Sequence, residues 1–465
     1  MTRFLIRLAA IASLAVGFSR LAQAADGTPP AMTLDQAIAY GLSHNPTLAS
    51  YRAQVAQGQE AARVPRNRWL PTIGATAQIY EATDNNTAAV VAPSDSLILP
   101  RLGGRGFDAA ATFDNGQSYR PYASTILGVG ITQQVFDFGL TAARIASADA
   151  TLLAERHDLD RSTLDTRLSV SVSFLAVQVA HEVKAAAEAA VTRATAQRDQ
   201  AAALVQGQLR SRIFLERAQA ELSRLRVSLL RAQSGVTIAQ SGLSIAVGLD
   251  QPLLDAQGTM ALPHAFPPLD QAMRDASTND PTLKVIEARI EAQRQTASAI
   301  GALARPTILL SGAVSARSGG APTGGPDPQF SGYVPETPNW DIGLIANWSF
   351  FDPVVFAEAR AARAQEEVLR GQLAAARQQL TGAVQDAWET TSEAISELPD
   401  LEKALEAAKQ NYDQANVRFQ QGLGTSVEIA DAETLLTDSE VQLAEGQFGL
   451  ARANARLERT MAGGL

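Results

Sequence analysis

The chain repeats itself once, and this internal duplication limits its fold more than any other feature of the sequence. The segment NPTLASYRAQVAQGQEAARVPRNRWLPTI (45–73) matches DPTLKVIEARIEAQRQTASAIGALARPTI (280–308) at an offset of 235 residues. ILGVGITQQVFDFG (126–139) and DIGLIANWSFFDPV (341–354) match at an offset of 215, as do two glycine-containing turns. The offset shortens because the first copy carries a longer insertion between about 80 and 125. A duplication on this scale predicts two copies of one structural unit.

Each copy has the same predicted order of short helix, strand, loop, strand, long helix, turn and helix. The first repeat spans 25–262 and the second spans 263–465, joined by a Pro- and Gly-containing linker at 249–267. The predicted strands and long helices are 72–80, 125–136, 141–206 and 212–247 in the first repeat, and 307–317, 340–351, 354–420 and 427–462 in the second.

Residues 1–24, MTRFLIRLAAIASLAVGFSRLAQA, have the features of a secretory signal peptide. Arg3 and Arg7 precede an apolar run, and Ala22-Gln23-Ala24 supplies the small residues of a cleavage site. We therefore expect an exported protein. The chain has no cysteine, so we expect neither disulfides nor a lipid attached to an N-terminal cysteine.

The segment from about 354 to 420 has the heptad pattern of a coiled coil. Leu398, Leu405, Tyr412 and Phe419 follow one another at steps of seven. A helix of about 67 residues would be roughly 100 Å long, far longer than the helices of ordinary globular domains. Pro399 is expected to kink this helix or bend its course. Helices of this kind would also fit a filamentous coiled coil, an alternative that the strands argue against.

Helix-start signals support the proposed order of elements. Thr33 with Gln36 predicts a capping box. NP at 45–46 and DP at 280–281 each place a capping residue before a proline at the first helical position. Ser211 and Ser426 are expected to cap the helices that follow the two glycine turns.

The strand WDIGLIANWSF (340–350) alternates strictly between apolar and other residues, with Trp340 and Trp348 on the apolar face. The tryptophans would lie about 26 Å apart along a strand, which is typical of a lipid-facing surface with interfacial aromatic residues. A half-buried strand of a soluble sandwich has the same pattern, so that alternative stays open. The Gly-, Pro-, Asn- and Ser-rich loops at 81–122 and 318–339 fit the long external loops of an outer-membrane barrel. Because four strands cannot close a barrel and open edges do not occur in lipid, such a chain must oligomerise.

The sequence resembles the TolC family of outer-membrane efflux proteins, also called outer membrane factors. The resemblance covers about 31–463. It depends on TLDQAIAYGLSHNPTL (33–48), on WLPTI and ARPTI at the starts of two strands, on the Phe-Asp pairs at 136–137 and 351–352 where two strands end, and on RFQQGLGTSVEIADAE (418–433). It implies a mainly helical protein with a membrane β-barrel. In a homotrimer, four strands per chain close a 12-stranded barrel in the outer membrane of a Gram-negative bacterium, and long coiled-coil helices form a periplasmic tunnel.

The resemblance also implies the function and the partners. Members are exit ducts of tripartite efflux pumps or of type I protein secretion systems. Their partners are outer-membrane lipid, a periplasmic adapter protein and an inner-membrane transporter, and no cofactor is expected. A soluble periplasmic coiled-coil scaffold and an exported enzyme are the alternatives.

By the same resemblance, both glycine turns lie at the periplasmic tip, where the adapter docks. The expected docking residues are Gly207, Gln208, Leu209, Ser211, Gly422, Leu423, Gly424, Thr425 and Ser426. Glycine permits positive φ in such turns. Ordinary helical hairpins without a partner would carry the same turns.

The resemblance also predicts a constriction of the tunnel near this tip. Glu428 and Asp431 match aspartates that line the constriction in the family, Glu216 is the counterpart of Asp431, and Phe419 occupies a place where a tyrosine can bond across the gate. Threefold symmetry would gather six carboxylates and favour cations. Acidic residues in a first helical turn also simply complement the helix dipole.

The sequence gives no indication of catalysis. The four histidines are scattered, no metal-ligand spacing occurs, and we expect neither an enzyme nor a metal site. The net charge of −9 argues against a nucleic-acid partner.

Overall fold

A computed structural model describes residues 30–82, 122–249, 253–260, 262–263, 265–318, 337–421 and 423–462. The predicted signal peptide, Gly422 and most of both predicted loops lie outside these described residues. The chain divides into two compact units. The helical unit comprises the described parts of Met1–Val55, Glu155–Val285 and Gln372–Leu465, and the sheet unit comprises those of Ala56–Ala154 and Ile286–Gly371.

Eight α-helices and six strands form the described chain. The helices are α1 Leu34–His44, α2 Pro46–Arg66, α3 Leu140–Gln206, α4 Arg212–Val247, α5 Leu269–Asn279, α6 Pro281–Ala302, α7 Pro353–Gln420 and α8 Ser426–Thr460, with a short 3-10 helix at Asn67–Trp69. The strands are β1 Ala31–Met32, β2 Thr72–Ala82, β3 Tyr122–Phe136, β4 Asp255–Ala256, β5 Thr307–Ser318 and β6 Thr337–Asn347.

The duplication is visible in the helical unit. Both ends of α5 lie 235 residues after the corresponding ends of α1, the offset found in the sequence. Ala37 of α1 is buried in a cluster with side chains of α3 and α4, including Val170 and Leu243. Ala272, its counterpart in α5, is buried in a second cluster with Val384 of α7 and Leu457 of α8. The repeated sequence therefore builds the same packing twice.

The predicted helix starts form as expected at α1, α2 and α6. The Gln36 backbone N–H donates to Thr33 Oγ1 at 3.4 Å, and the Thr33 N–H donates to Gln36 Oε1 at 3.1 Å, which completes the capping box. Asn45 Oδ1 accepts from the N–H of residue 47, and Asp280 Oδ1 accepts from that of residue 282, both at 2.8 Å. Helix α7 continues through Pro399 without a break.

The sheet unit contains a four-stranded antiparallel sheet with the order β2-β3-β5-β6. Val129 of β3 pairs with Val314 of β5, which in turn pairs with Trp340 of β6, so these side chains share one face. That face exposes large apolar side chains on every strand, namely Ile73, Ile79, Leu127, Val129, Ile131, Val314, Trp340, Ile342 and Leu344. Within the described chain, the edge strands β2 and β6 are each hydrogen-bonded to a neighbouring strand along one edge only.

The last strand differs from its predicted bounds of 340–351, because β6 runs from Thr337 to Asn347. Trp348 therefore lies beyond the strand, exposed, with its indole N–H donating to the Ala304 carbonyl at 3.1 Å. The strand ends early because Asp352 Oδ1 accepts from the Val354 N–H at 2.9 Å and so caps α7, which begins at residue 353. The other predicted strands and long helices differ from the observed bounds by three residues or fewer.

Among the described helices, none combines the length and the apolar composition required to cross a membrane.

Candidate functional site

The first glycine turn joins α3 to α4 and is exposed to solvent. The Leu209 N–H donates to the Leu204 carbonyl at 2.9 Å, and the Gly207 N–H donates to the Ala203 carbonyl at 2.9 Å. The expectation of a positive φ at Gly207 is wrong, because the left-handed residue is Gln208, with φ of 64°. Gly207 instead ends the helical hydrogen bonding, and the following glutamine reverses the chain.

The second turn joins α7 to α8 and needs glycine for a different reason. The N–H groups of Leu423 and Gly424 both donate to the Arg418 carbonyl at 2.9 Å. A Cβ on Gly424 would lie only 3.0 Å from the Phe419 backbone nitrogen. Close approach of two backbone segments, and not positive φ, therefore requires glycine at 424.

The predicted caps of the two following helices need correction. Thr425, and not Ser426, is the N-cap of α8, because Thr425 Oγ1 accepts from the Glu428 N–H at 3.2 Å. The Glu428 carboxylate accepts from the Thr425 N–H at 3.3 Å, which completes a capping box. Ser211 occupies the N-cap position of α4, but its side chain makes no capping hydrogen bond.

Each turn exposes a pair of large apolar side chains. Leu209 and Leu423, at the two turns, are 72% and 71% exposed. Ile213 and Val427 follow them by four residues, in the first turn of α4 and of α8, and are also more than half exposed. Both copies of the repeat therefore present the same small apolar surface, which we call the tip pairs.

Phe419, the fourth predicted aperture residue, is almost completely buried within the chain. It is only 4% exposed and stacks on Phe214 of α4, with ring centroids 5.5 Å apart and an angle of 8° between the planes. The stack packs the end of α7 against the start of α4. Phe419 therefore contributes packing between the two hairpins.

The three predicted aperture acids occupy two helices. Glu428 and Asp431 are both exposed near the start of α8, and Glu428 lies 3.9 Å from the Arg418 guanidinium. Glu216, in α4, forms an exposed ion pair with Arg212 at 3.4 Å. Glu428 completes a helix cap, as acids in a first helical turn commonly do, while the side chain of Asp431 is left open to solvent.

The most deeply buried charge in this region was missed by the sequence prediction. Glu433 of α8 is 0% exposed, and both of its carboxylate oxygens accept from Arg193 Nε of α3, at 2.8 and 3.0 Å. Arg193 Nη2 also donates to Glu440 at 3.2 Å, and the guanidinium lies 5.6 Å from the centre of the Tyr412 ring of α7. We call these four residues the arginine network, and it ties α3 to both helices of the second hairpin.

Burial makes this network electrostatically sensitive. Burial raises the pKa of the Glu433 carboxyl above its ordinary value, while hydrogen bonds from Arg193 and Thr437 oppose the rise. Burial likewise raises the pKa of the Tyr412 hydroxyl. The carboxylate of Glu433 thus depends on Arg193 for its charge compensation.

One sequence signal pointed to the network. Glu433 lies between Ile429 and Leu436, both buried, so it occupies an apolar position of the α8 heptad. A charged residue at such a position predicts a buried partner. No local pattern identifies Arg193 as that partner, because it lies 240 residues earlier.

Among the described residues, no group of three or more histidine and acidic side chains could hold a metal ion.

Comparison with known proteins identifies similar proteins over most of the chain. The family model described as "Outer membrane efflux protein" matches residues 38–249 and 272–463, once in each repeat. No curated protein matches the chain in a sequence comparison.

Solved structures with the same fold cover 93% of this chain. They include the CmeC outer membrane channel of Campylobacter jejuni, at 14% identity, 86% coverage of that chain and a TM-score of 0.75. The outer membrane protein VceC of Vibrio cholerae has 16% identity, 96% coverage and a TM-score of 0.71. The MtrE outer membrane channel of Neisseria gonorrhoeae, in its open state, has 17% identity, 89% coverage and a TM-score of 0.71. At these identities the likeness establishes the fold.

Proposed function

The chain belongs to the outer membrane efflux protein family, and on that basis we propose that it is the exit duct of a tripartite efflux pump. A homotrimer spans the outer membrane of a Gram-negative bacterium and continues as a helical tunnel into the periplasm. The duct receives substrates from an inner-membrane transporter through a periplasmic adapter protein. It catalyses no reaction of its own.

The observation that carries this proposal is the four-stranded sheet with one apolar face. Its exposed valine, isoleucine, leucine and tryptophan side chains form a surface suited to lipid, and not to water. Both edge strands have unpaired sides within the described chain, and lipid does not tolerate open edges. Three chains supply twelve strands, and pairing β6 of one chain with β2 of the next closes the barrel without an edge.

The tip pairs support adapter docking at the two turns. Leu209 and Leu423 are each exposed on a turn held by backbone hydrogen bonds, so the turns lose little conformational freedom on binding. Burying one such leucine against a partner contributes about 1.5–3 kcal/mol. Six of these pairs around a threefold axis form a repeated apolar surface for the adapter.

The aperture role of Glu428, Asp431 and Glu216 follows from the same assembly. The first two carboxylates are exposed near the start of α8, close to the tip. In a trimer they form a ring of six acids, and such a ring favours cations over anions.

Planar-bilayer recordings of the purified trimer test this function. We expect cation-selective conductance in the wild type, and reduced cation selectivity with altered conductance in the variant Glu428→Gln/Asp431→Asn. Asp438→Asn is the matched control, because it removes an exposed acid from the same helix further from the turn. A protein that forms no channels contradicts the duct, whereas unchanged selectivity in the double variant contradicts only the aperture role.

A further inference from the structure

A cavity of about 380 Å³, open to solvent and bordered by the exposed side chains of Val64 and Arg68, lies in the sheet unit along α2, α3 and α6. Its walls are mainly apolar, with Val64 and Pro65 contributed by α2, Ile300 by α6 and Leu303 by the turn that follows α6. The volume lies in the lower range for sites that hold small molecules. An apolar group of moderate size therefore fits between these helices.

Two arginines also line this cavity. Arg68 follows α2 in the short 3-10 helix, and Arg144 lies in the second turn of α3. Within the described part of the chain, neither forms an ion pair or a hydrogen bond to a protein group. Two arginines near the end of α2 are paired, since Arg63 contacts Glu60 and Arg66 contacts Asp149, each at 2.7 Å.

The two cavity arginines also disfavour each other. Burial and the nearby positive charge of Arg68 lower the pKa of the Arg144 guanidinium, and Asp137 opposes this only in part. The Asp137 carboxylate is held by neutral donors of its own turn, because Oδ2 accepts from the Thr141 N–H and from Gln134 Nε2, both at 2.6 Å, and Oδ1 accepts from the Gly139 N–H at 3.2 Å. A bound anion would relieve this repulsion.

We propose that the cavity binds an anionic amphiphile with a single apolar tail. The carboxylate or phosphate head lies between Arg68 and Arg144, whose guanidinium groups can each donate two parallel hydrogen bonds to a pair of anionic oxygens. The tail packs against the apolar wall formed by Val64, Ile300 and Leu303. The small volume favours one tail over the two tails of a phospholipid. Nothing in the duct function requires such a site, so the proposal goes beyond it.

Calorimetric titration with decanoate tests the proposal on the full-length protein in nanodiscs of zwitterionic phosphatidylcholine, with empty nanodiscs as the baseline. We expect one decanoate per chain. Decanol, which has the tail without the charge, and inorganic phosphate, which has charge without the tail, should bind at least tenfold more weakly. Because each charge-assisted hydrogen bond is worth roughly a tenfold change or more, Arg68→Gln/Arg144→Gln should weaken decanoate binding at least tenfold.

Arg63→Gln is the matched control, because Arg63 of α2 pairs with Glu60 and does not line the cavity; decanoate affinity should stay unchanged. Equal decanoate affinity in the wild type and the Arg68→Gln/Arg144→Gln variant would overturn the proposal. Loss of decanoate binding in nanodiscs that contain phosphatidylglycerol would assign the cavity to a membrane lipid and overturn the single-tail assignment. Dissociation of the trimer in the double variant would mean that these arginines pair with a neighbouring subunit, which also overturns it.

Discussion

Removing Arg193 should destabilise the helical unit more than removing any single carboxylate of the arginine network. In Arg193→Gln, the carboxylate of Glu433 stays at a position that is 0% exposed and loses both of its hydrogen bonds to the guanidinium. Breaking a buried ion pair by removing one partner costs about 3–5 kcal/mol, since an uncompensated charge remains. Glu440 also loses a partner, but it is partly exposed and adds little.

The double variant Arg193→Gln/Glu433→Gln separates charge from packing. It removes the guanidinium and the buried charge together, so we expect it to recover about half or more of the stability lost in Arg193→Gln. Thermal unfolding of the helices, monitored by circular dichroism in detergent, ranks the variants by unfolding temperature. The loss in Arg193→Gln should also shrink at lower pH, where Glu433 becomes protonated. If the double variant unfolds at or below the temperature of Arg193→Gln at every pH, then the buried charge is not the cause.

Three further outcomes follow from individual contacts. Burial raises the pKa of Glu433 in the folded state above its ordinary value of 4.5. The protonated carboxyl therefore favours folding at pH values below 4.5, and this contribution to stability is lost as the pH rises through the folded-state pKa. Glu433→Gln should therefore flatten the pH dependence of the unfolding temperature above about pH 4.5. An unchanged pH profile in this variant would mean that Glu433 is not the group responsible. Gly424→Ala should cost about 1–3 kcal/mol and increase protease cleavage at the second turn, because its Cβ would meet the Phe419 nitrogen at 3.0 Å. Gly207→Ala, where the nearest atom is 3.4 Å away, is the control and should remain resistant. Leu209→Glu/Leu423→Glu should weaken adapter binding at least tenfold in a pull-down with intact trimers, whereas wild-type binding would exclude the tip pairs as the docking surface.

Much of the architecture could be predicted from the sequence because its signals are local or repeated. The family membership and the mainly helical fold with an internal duplication are confirmed by the match of one family model to both halves. The capping box at Thr33 is a four-residue pattern and is present as predicted. Each of these predictions required only neighbouring residues or comparison of one repeat with the other.

The predictions that failed depend on contacts that no sequence pattern specifies, whether these contacts are local or distant. The need for Gly424 comes from the approach of the chain to Phe419, which no turn pattern contains. The arginine network joins Arg193 to Glu433 across 240 residues. The apolar neighbours of Glu433 predict a buried partner, but no local pattern identifies Arg193 as that partner. Trp348 falls outside β6 because the cap of the next helix takes precedence over the alternating pattern.

Cross-linking of the two sheet edges tests the central claim most directly. The chain has no cysteine, so engineered pairs give disulfides without background. One cysteine replaces Ala77, exposed on β2, and the second replaces Ile342, Leu344 or Ala346 on β6 in a series of double variants. If β6 of one chain pairs with β2 of the next, then oxidation of outer membranes should give covalent dimers and closed trimers for at least one pair. Monomers alone across the whole series, from protein that is folded and present in the membrane, would contradict the shared barrel.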